Sequence, residues 1–254
     1  VLSMVDDADD FKQQLLAAAR ERDLSTNPFV RGVHKGSYSR GSFCRYASEL
    51  ARLTSGFPRR LAAILARCEV FEVRRSLLAN LMEEEGVVSF SAEGGLVADR
   101  SRSHAVFAWR FARAAGATPE ESSCLETGSR WFDQQIAEGR WIGPLAYLTL
   151  GYELNAPLAG RMLAEGFRAH YGFAEDDLAY FTMHCEADER HSAEGAAMIA
   201  RVANTPATRH EALEGARRGA SAFWHFHRRH HRVLMGEELL GEAKDREQGH
   251  VGVF

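Results

Sequence analysis

The stretch MHCEADERH, residues 183–191, places His184, Asp188 and His191 at i, i+4 and i+7. At about 100° per residue these positions fall within roughly 60° of arc on one helix face. Two imidazoles and a carboxylate aligned in this way form either a polar surface stripe or one wall of a metal site. The second case needs facing helices that supply the remaining ligands, as helical bundles do.

The rest of the chain reads as helical almost throughout. Helical spacing covers residues 8–21, 41–53 and about 59–85, with a break at GFP (56–58) and another near 69. It returns at 104–116, 140–170, 174–203 and from Thr205 to about 236. Thr118 with Pro119, and Thr205 with Pro206, carry the N-cap and N1 signature of a helix start. STNPFVRGVHKGSYSRG reads as a loop, and so does GVVSFSAEGGLVADRSRS (86–103), which is long enough to imply function or mobility. No segment shows strand alternation with hairpin signals. The expected class is all-α, a single domain over 1–254 of seven to eight helices, with a helix and tail over 1–26 and a loop insertion at 86–103.

Composition narrows the function. A net charge of −4 carries no basic excess that would suit nucleic acid. No apolar run approaches the roughly 18–20 residues of a membrane span. The start of the chain, VLSMVDDADDF, lacks an apolar signal segment, and Met4 is a candidate natural start. Cys44, Cys68, Cys124 and Cys185 form no CxxC and read as thiols of a reducing compartment, so a cytoplasmic location is expected.

Further carboxylates and imidazoles fall on apolar helix faces. Glu153 lies in AYLTLGYELNAPLAG among apolar neighbours, where an isolated carboxylate is costly unless paired or metal-bound. Pro157 cannot donate to the Glu153 carbonyl, so the helix is expected to open beside it. The run Glu83-Glu84-Glu85 closes a helix whose inner face includes Leu77, Leu78 and Leu81. Phase does not choose between Glu84 and Glu85. His104 opens the next helix ahead of Phe107, Trp109 and Phe111.

NLMEEEG, SHAVFAWRFARAAG, AYLTLGYELNAP and YGFAEDDLAYFTMHCEADERHSAE together resemble the haem-oxygenase-like di-metal oxidases. The resemblance covers roughly residues 27–203 and is nearest to the branch containing the bacterial death-domain-associated protein and relatives of PqqC. It implies a haem-oxygenase-like bundle with six metal ligands: Glu84, His104, Glu153, His184, Asp188 and His191. It further implies two Fe(II) ions, or Mn/Fe, that activate O2 against a small amine, amino-acid-derived or carboxylic-acid substrate in natural-product or cofactor biosynthesis. An external electron donor and a homodimer are compatible with it. The chain departs from the family pattern in the long interval between Glu84 and His104. Either the insertion bulges out and leaves both ligands in place, or Glu84 is displaced and Glu83, Glu85 or Glu93 substitutes.

The alternatives are a PqqC-like metal-free oxidase, a TenA-like hydrolase with a cysteine nucleophile, and a non-catalytic helical binding protein. A haem oxygenase would need an axial histidine early in the chain, and His34 is the sole candidate. HFHRRHHR (225–232) reads as a basic helix end, with the alternative that it borders the pocket mouth and meets an acidic substrate. Arg190 is placed to pair with Glu186 or to meet a carboxylate substrate. Tyr152, Tyr180, Trp109 and Trp131 read first as core aromatics.

Overall fold

A computed structural model describes residues 2–91, 95–118 and 129–236. The helices are α1 (Leu2–Arg20), α2 (Pro28–His34), α3 (Cys44–Ser55), α4 (Phe57–Arg67), α5 (Phe71–Glu84), α6 (His104–Ala114), α7 (Arg130–Ala137), α8 (Ile142–Ala146), α9 (Ala156–Tyr171), α10 (Ala179–Val202) and α11 (Pro206–Leu234). The all-α expectation holds, with two short strands, β1 (Val87–Phe90) and β2 (Leu96–Ala98), as the exception among the described residues. The expected helix start at Thr118 runs into residues 119–128, which lie outside the described residues, as does Cys124.

Two expected loops are structured. In the first, Asn27 caps α2 by accepting from the Phe29 amide at 2.9 Å, and Pro28 takes the N1 position. Asn-Pro reads as a turn signal, yet it is equally a helix start, because Pro at N1 forfeits only an amide that has no helical partner. In the second, β1 and β2 pair antiparallel, with Val87 opposite Ala98 and Phe90 opposite Leu96. These strands are too short, and β2 too exposed, to leave a pattern of alternation.

Among the described residues the core has two apolar clusters. One gathers α1, α4, α5, α8 and the N-terminal half of α11 around Leu15, Leu61 and Tyr147. The other gathers α2, α3, α6, α9 and the C-terminal half of α11 around Phe43, Phe111 and Phe167. Tyr152 packs against both, so the seam between them runs past its neighbour Glu153. No helix among the described residues is long and apolar enough to cross a membrane.

The seam depends on a very close approach. A Cβ on Gly219 of α11 would lie 2.2 Å from the Tyr147 carbonyl, and one on Gly151 would lie 2.4 Å from the Gly219 Cα. Glycine at both positions lets the backbones touch, and the touching segment, Tyr147–Tyr152, is π-helical. A 3-10 turn, Glu153–Asn155, follows before α9 resumes with Pro157 at its start. The opening beside Glu153 is therefore present, as the missing Pro157 amide requires. π segments recur at functional sites because they re-aim one side chain out of helical register.

Gly219→Ala should lower the unfolding midpoint by several degrees, since overpacking against backbone costs about 1–3 kcal/mol or more. Differential scanning calorimetry checks this, and an unchanged midpoint would show that the two backbones have room to part.

Candidate metal centre

Six side chains converge at the seam as two groups of three. Glu84, His104 and His184 form one, and Glu153, Asp188 and His191 the other. Within each group, donor atoms from all three residues lie within 4.8 Å of one another. Glu84, His104, Glu153 and Asp188 are 5%, 2%, 4% and 4% exposed. Helices α5, α6 and α10 and the turn before α9 thus each present polar groups to a site walled by apolar residues.

Glu84 is placed by the phase of α5. Val73, Leu77, Asn80 and Glu84 are buried, whereas Leu78 is 47% exposed and Glu85 is exposed. The expectation that Leu78 faces inward is thereby corrected, and Glu84, seven residues after Leu77, is the inner glutamate. The long interval to His104 does not displace it. Gly86, at φ 75°, turns the chain into β1, and the Asp99 amide donates to the Gly86 carbonyl at 2.9 Å. The hairpin closes at its base, and Ser103 then caps α6, accepting from the Val106 amide. Glu84 and His104 meet across this base. The His104 Nδ1 and a Glu84 carboxylate oxygen are 2.9 Å apart, yet Nδ1 makes no hydrogen bond of acceptable geometry.

His184 has a defined tautomer. Its Nδ1 donates to the Tyr180 carbonyl at 2.7 Å, which leaves Nε2 with a lone pair. Burial, with the neighbouring His104, pushes its pKa down to about 4, so the ring is neutral at physiological pH. Glu153 accepts from the Asn80 side-chain amide at 3.2 Å through one oxygen, and its other oxygen is buried without a partner. Burial raises the Glu153 carboxyl to about 7. Asp188 is likewise raised, by burial first and then by the Glu153 and Glu84 charges.

His191 stands at the rim. Burial works against its charge, but the hydrogen bond to Glu83 (3.2 Å) and the Glu153 and Glu83 charges outweigh it and raise its pKa. Glu83 also accepts from Arg190 at 2.8 Å. The hydrogen bond from His191 is the largest influence on Glu83, and with Arg190 it holds the carboxyl down at about 2. Arg190 therefore pairs with Glu83 from α5. Glu83 is not a stand-in for Glu84, and Glu93 lies outside the described residues.

Orphaned carboxylate and imidazole atoms buried around two small volumes match the demands of cations that prefer mixed N/O ligands. Asn80 belongs to the site and was not singled out from the sequence. Its signal was a polar residue on the apolar stripe Val73, Leu77, Asn80, Glu84.

A cavity on the apolar side of the site reaches Glu84, Glu153, His184 and Asp188. Tyr152 and Tyr180 line it rather than serving only as core. A more polar cleft lies on the other side and is lined by Asn80, Glu83, Arg190 and His191. Cys185 is buried and donates to the Phe181 carbonyl at 3.1 Å, and neither it nor Cys44 lines the apolar cavity. His34 lies on α2 within reach of Glu165, at 3.7 Å, and lines neither space.

A model of a family described as iron-containing redox enzymes matches residues 44–224. The chain belongs to that family. It is an oxidoreductase of the iron-dependent kind, and its relatives sharpen the picture. A protein named 4-aminobenzoate synthase from Chlamydia trachomatis is 29% identical over 196 residues, which cover 74% of this chain and 79% of that one. A protein of the same name from Nitrosomonas europaea is 26% identical over 236 residues, covering 85% and 89%. A domain with a haem-oxygenase-like fold from Shewanella denitrificans superposes with TM-score 0.62 at 15% identity, covering 89% and 94%. A TenA homologue from Pseudomonas syringae gives 0.61 at 14%, covering 91% and 92%. At such identities the two structures speak for the fold alone, and the fold is haem-oxygenase-like.

Two outcomes are expected. Gly86→Ala places a Cβ 2.5 Å from the Asp99 carbonyl and strains a positive φ, so it should weaken metal binding at the Glu84–His104 group by about tenfold or more, read by titration. Glu153→Gln should raise the midpoint of the metal-free protein at pH 8 and not at pH 4. A carboxyl raised in the folded state stabilises fully below its unfolded value of 4.5, and that contribution is lost as pH rises through about 7. Equal shifts at both pH values would refute the burial penalty.

Proposed function

We propose that the chain is a non-haem oxidase or oxygenase that holds two iron ions, or Mn/Fe, one in each three-residue group, and uses O2 to oxidise a small substrate. The observation that carries this reading is the pair of buried groups with partnerless donor atoms at the seam. Bound iron would supply electrons to O2 and Lewis-acid polarisation of the reacting groups. The ligands in this reading are Glu84, His104 and His184 for one ion, and Glu153, Asp188 and His191 for the other.

The supporting residues have separate tasks. The Tyr180 carbonyl fixes His184 in the tautomer with a free Nε2. Asn80 holds one Glu153 oxygen and leaves the other to ligate. Glu83 and Arg190 orient His191 from the polar cleft. The protons held on Glu153 and Asp188 near neutral pH must leave as cations enter, so metal affinity should climb with pH. The walls of the apolar cavity, among them Leu50, Leu53, Phe57 and Phe181, exclude water from the face that substrate would meet.

The relatives named 4-aminobenzoate synthase support a substrate of cofactor or natural-product metabolism, and the apolar, aromatic-walled cavity supports a small one. In this reading it is a small amine, amino-acid derivative or carboxylic acid. An external electron donor, a cytoplasmic setting and a homodimer belong to the same proposal. The cavity offers no cysteine nucleophile among its described lining residues, which disfavours the TenA-like alternative.

Anaerobic titration of the metal-free protein should give about two Fe(II) per chain, and about one in His184→Ala. Binding should tighten between pH 6 and 8 with release of protons. One iron per chain in the wild type would confine the centre to a single group, and no specific uptake would remove the di-iron mechanism.

A further inference from the structure

The apolar cavity also carries a polar pair that the proposed chemistry does not use. Tyr46 of α3 and His227 of α11 are each 1% exposed, and both line the cavity. His227 belongs to the HFHRRHHR run. The expectation of a basic surface helix end fails there, because His227 and His230 are buried against the α3 face instead. The run is amphipathic, and its i, i+3 histidines fall on the inner side.

The hydrogen bonds give this pair a direction. The His227 Nδ1 lies 2.9 Å from the Phe223 carbonyl, which can only accept, so Nδ1 carries the hydrogen. Nε2 of the neutral ring is then an acceptor, and the Tyr46 hydroxyl, 3.3 Å away, must donate to it. Burial keeps both groups uncharged, pushing His227 down to about 3 and Tyr46 well above 10. With its hydrogen committed, Tyr46 has only oxygen lone pairs to offer. Phe223 and Phe226 pack on the His227 ring at 4.8 and 5.1 Å and hold it in place.

We propose that the Tyr46–His227 pair is a positioning site that accepts a hydrogen bond from an uncharged donor on the substrate, a phenol hydroxyl or an aromatic amine, and so selects such substrates. The assignment rests on the oxidase reading in one respect, that this cavity is the substrate cavity. Glu84, Glu153, His184 and Asp188 line the same cavity, so an occupant held by the pair shares one space with the metal groups. An anionic group would find no charge partner in the pair, so a carboxylate on the same molecule belongs with the metal groups.

Binding of phenol and of anisole, measured by ligand-observed NMR on the full chain with and without anaerobic Fe(II), tests the pair. The two probes differ little in shape, and only phenol donates. Wild type should bind phenol about tenfold tighter, the scale of one buried hydrogen bond lost. Tyr46→Phe should bring the two within about twofold. His227→Leu should also erase the preference, because the freed Tyr46 hydroxyl can then donate to anisole. His227→Gln, which keeps an acceptor, should retain it. A merely structural role would weaken both probes alike and leave their ratio unchanged. Equal affinities in wild type, a preference that survives Tyr46→Phe, or no binding of either probe at millimolar concentration would overturn the proposal. Iron uptake is read separately in the same samples. Uptake without selectivity sinks the pair alone, and selectivity without uptake sinks the metal reading alone.

Discussion

Three carboxylates buried within one small volume are the constraint on which the rest of this structure depends. Glu84, Glu153 and Asp188 sit among apolar helices, where unneutralised charge costs several kcal/mol per group. Beyond the hydrogen bond that Asn80 gives Glu153, protons or cations must compensate them. The raised pKa values of Glu153 and Asp188 show the first at work. Three imidazoles in the same space, one with its tautomer fixed by a backbone carbonyl, make the second chemically apt. A family of iron-containing redox enzymes is where such an arrangement belongs.

The surrounding fold can be understood as the means of holding that volume open. The Gly151–Gly219 contact brings α11 against the chain just before Glu153, and the π and 3-10 turns there rotate the carboxylate inward. The hairpin between β1 and β2 does the same work by a different route. It leaves and returns at one point, so an insertion of many residues adds almost nothing to the distance between Glu84 and His104. Long insertions that close on themselves in this way cost little, because closure entropy grows only slowly with loop length.

The two sides of the centre differ in kind. Toward α5, Glu83 and Arg190 form a polar rim around His191. Toward α3 and α11, aromatic and aliphatic walls enclose a cavity that includes the oriented Tyr46 hydroxyl. In the proposed reaction this division would separate charge-bearing groups at the outer face from the apolar interior that keeps water from the substrate.

Much of this was legible in the sequence, and the reasons are local. His184, Asp188 and His191 share one helix, so their common face follows from spacing alone. Glu153 was marked by apolar neighbours and by Pro157. Helical phase left Glu84 and Glu85 open, and the family resemblance alone pointed to Glu84; the burial of His227 and the role of Asn80 were not legible. Periodicity gives a side chain's phase about its own helix axis, and burial depends on which neighbour stands opposite. The two-stranded hairpin escaped for a related reason, since its strands are short and its pairing lies outside any helical period. The sequence by itself determined an all-α chain with carboxylates and imidazoles, candidate metal ligands, on several helices. Only the tertiary structure decided which of those faces meet, because the backbone contacts and the hairpin base that bring them together join residues far apart in the chain.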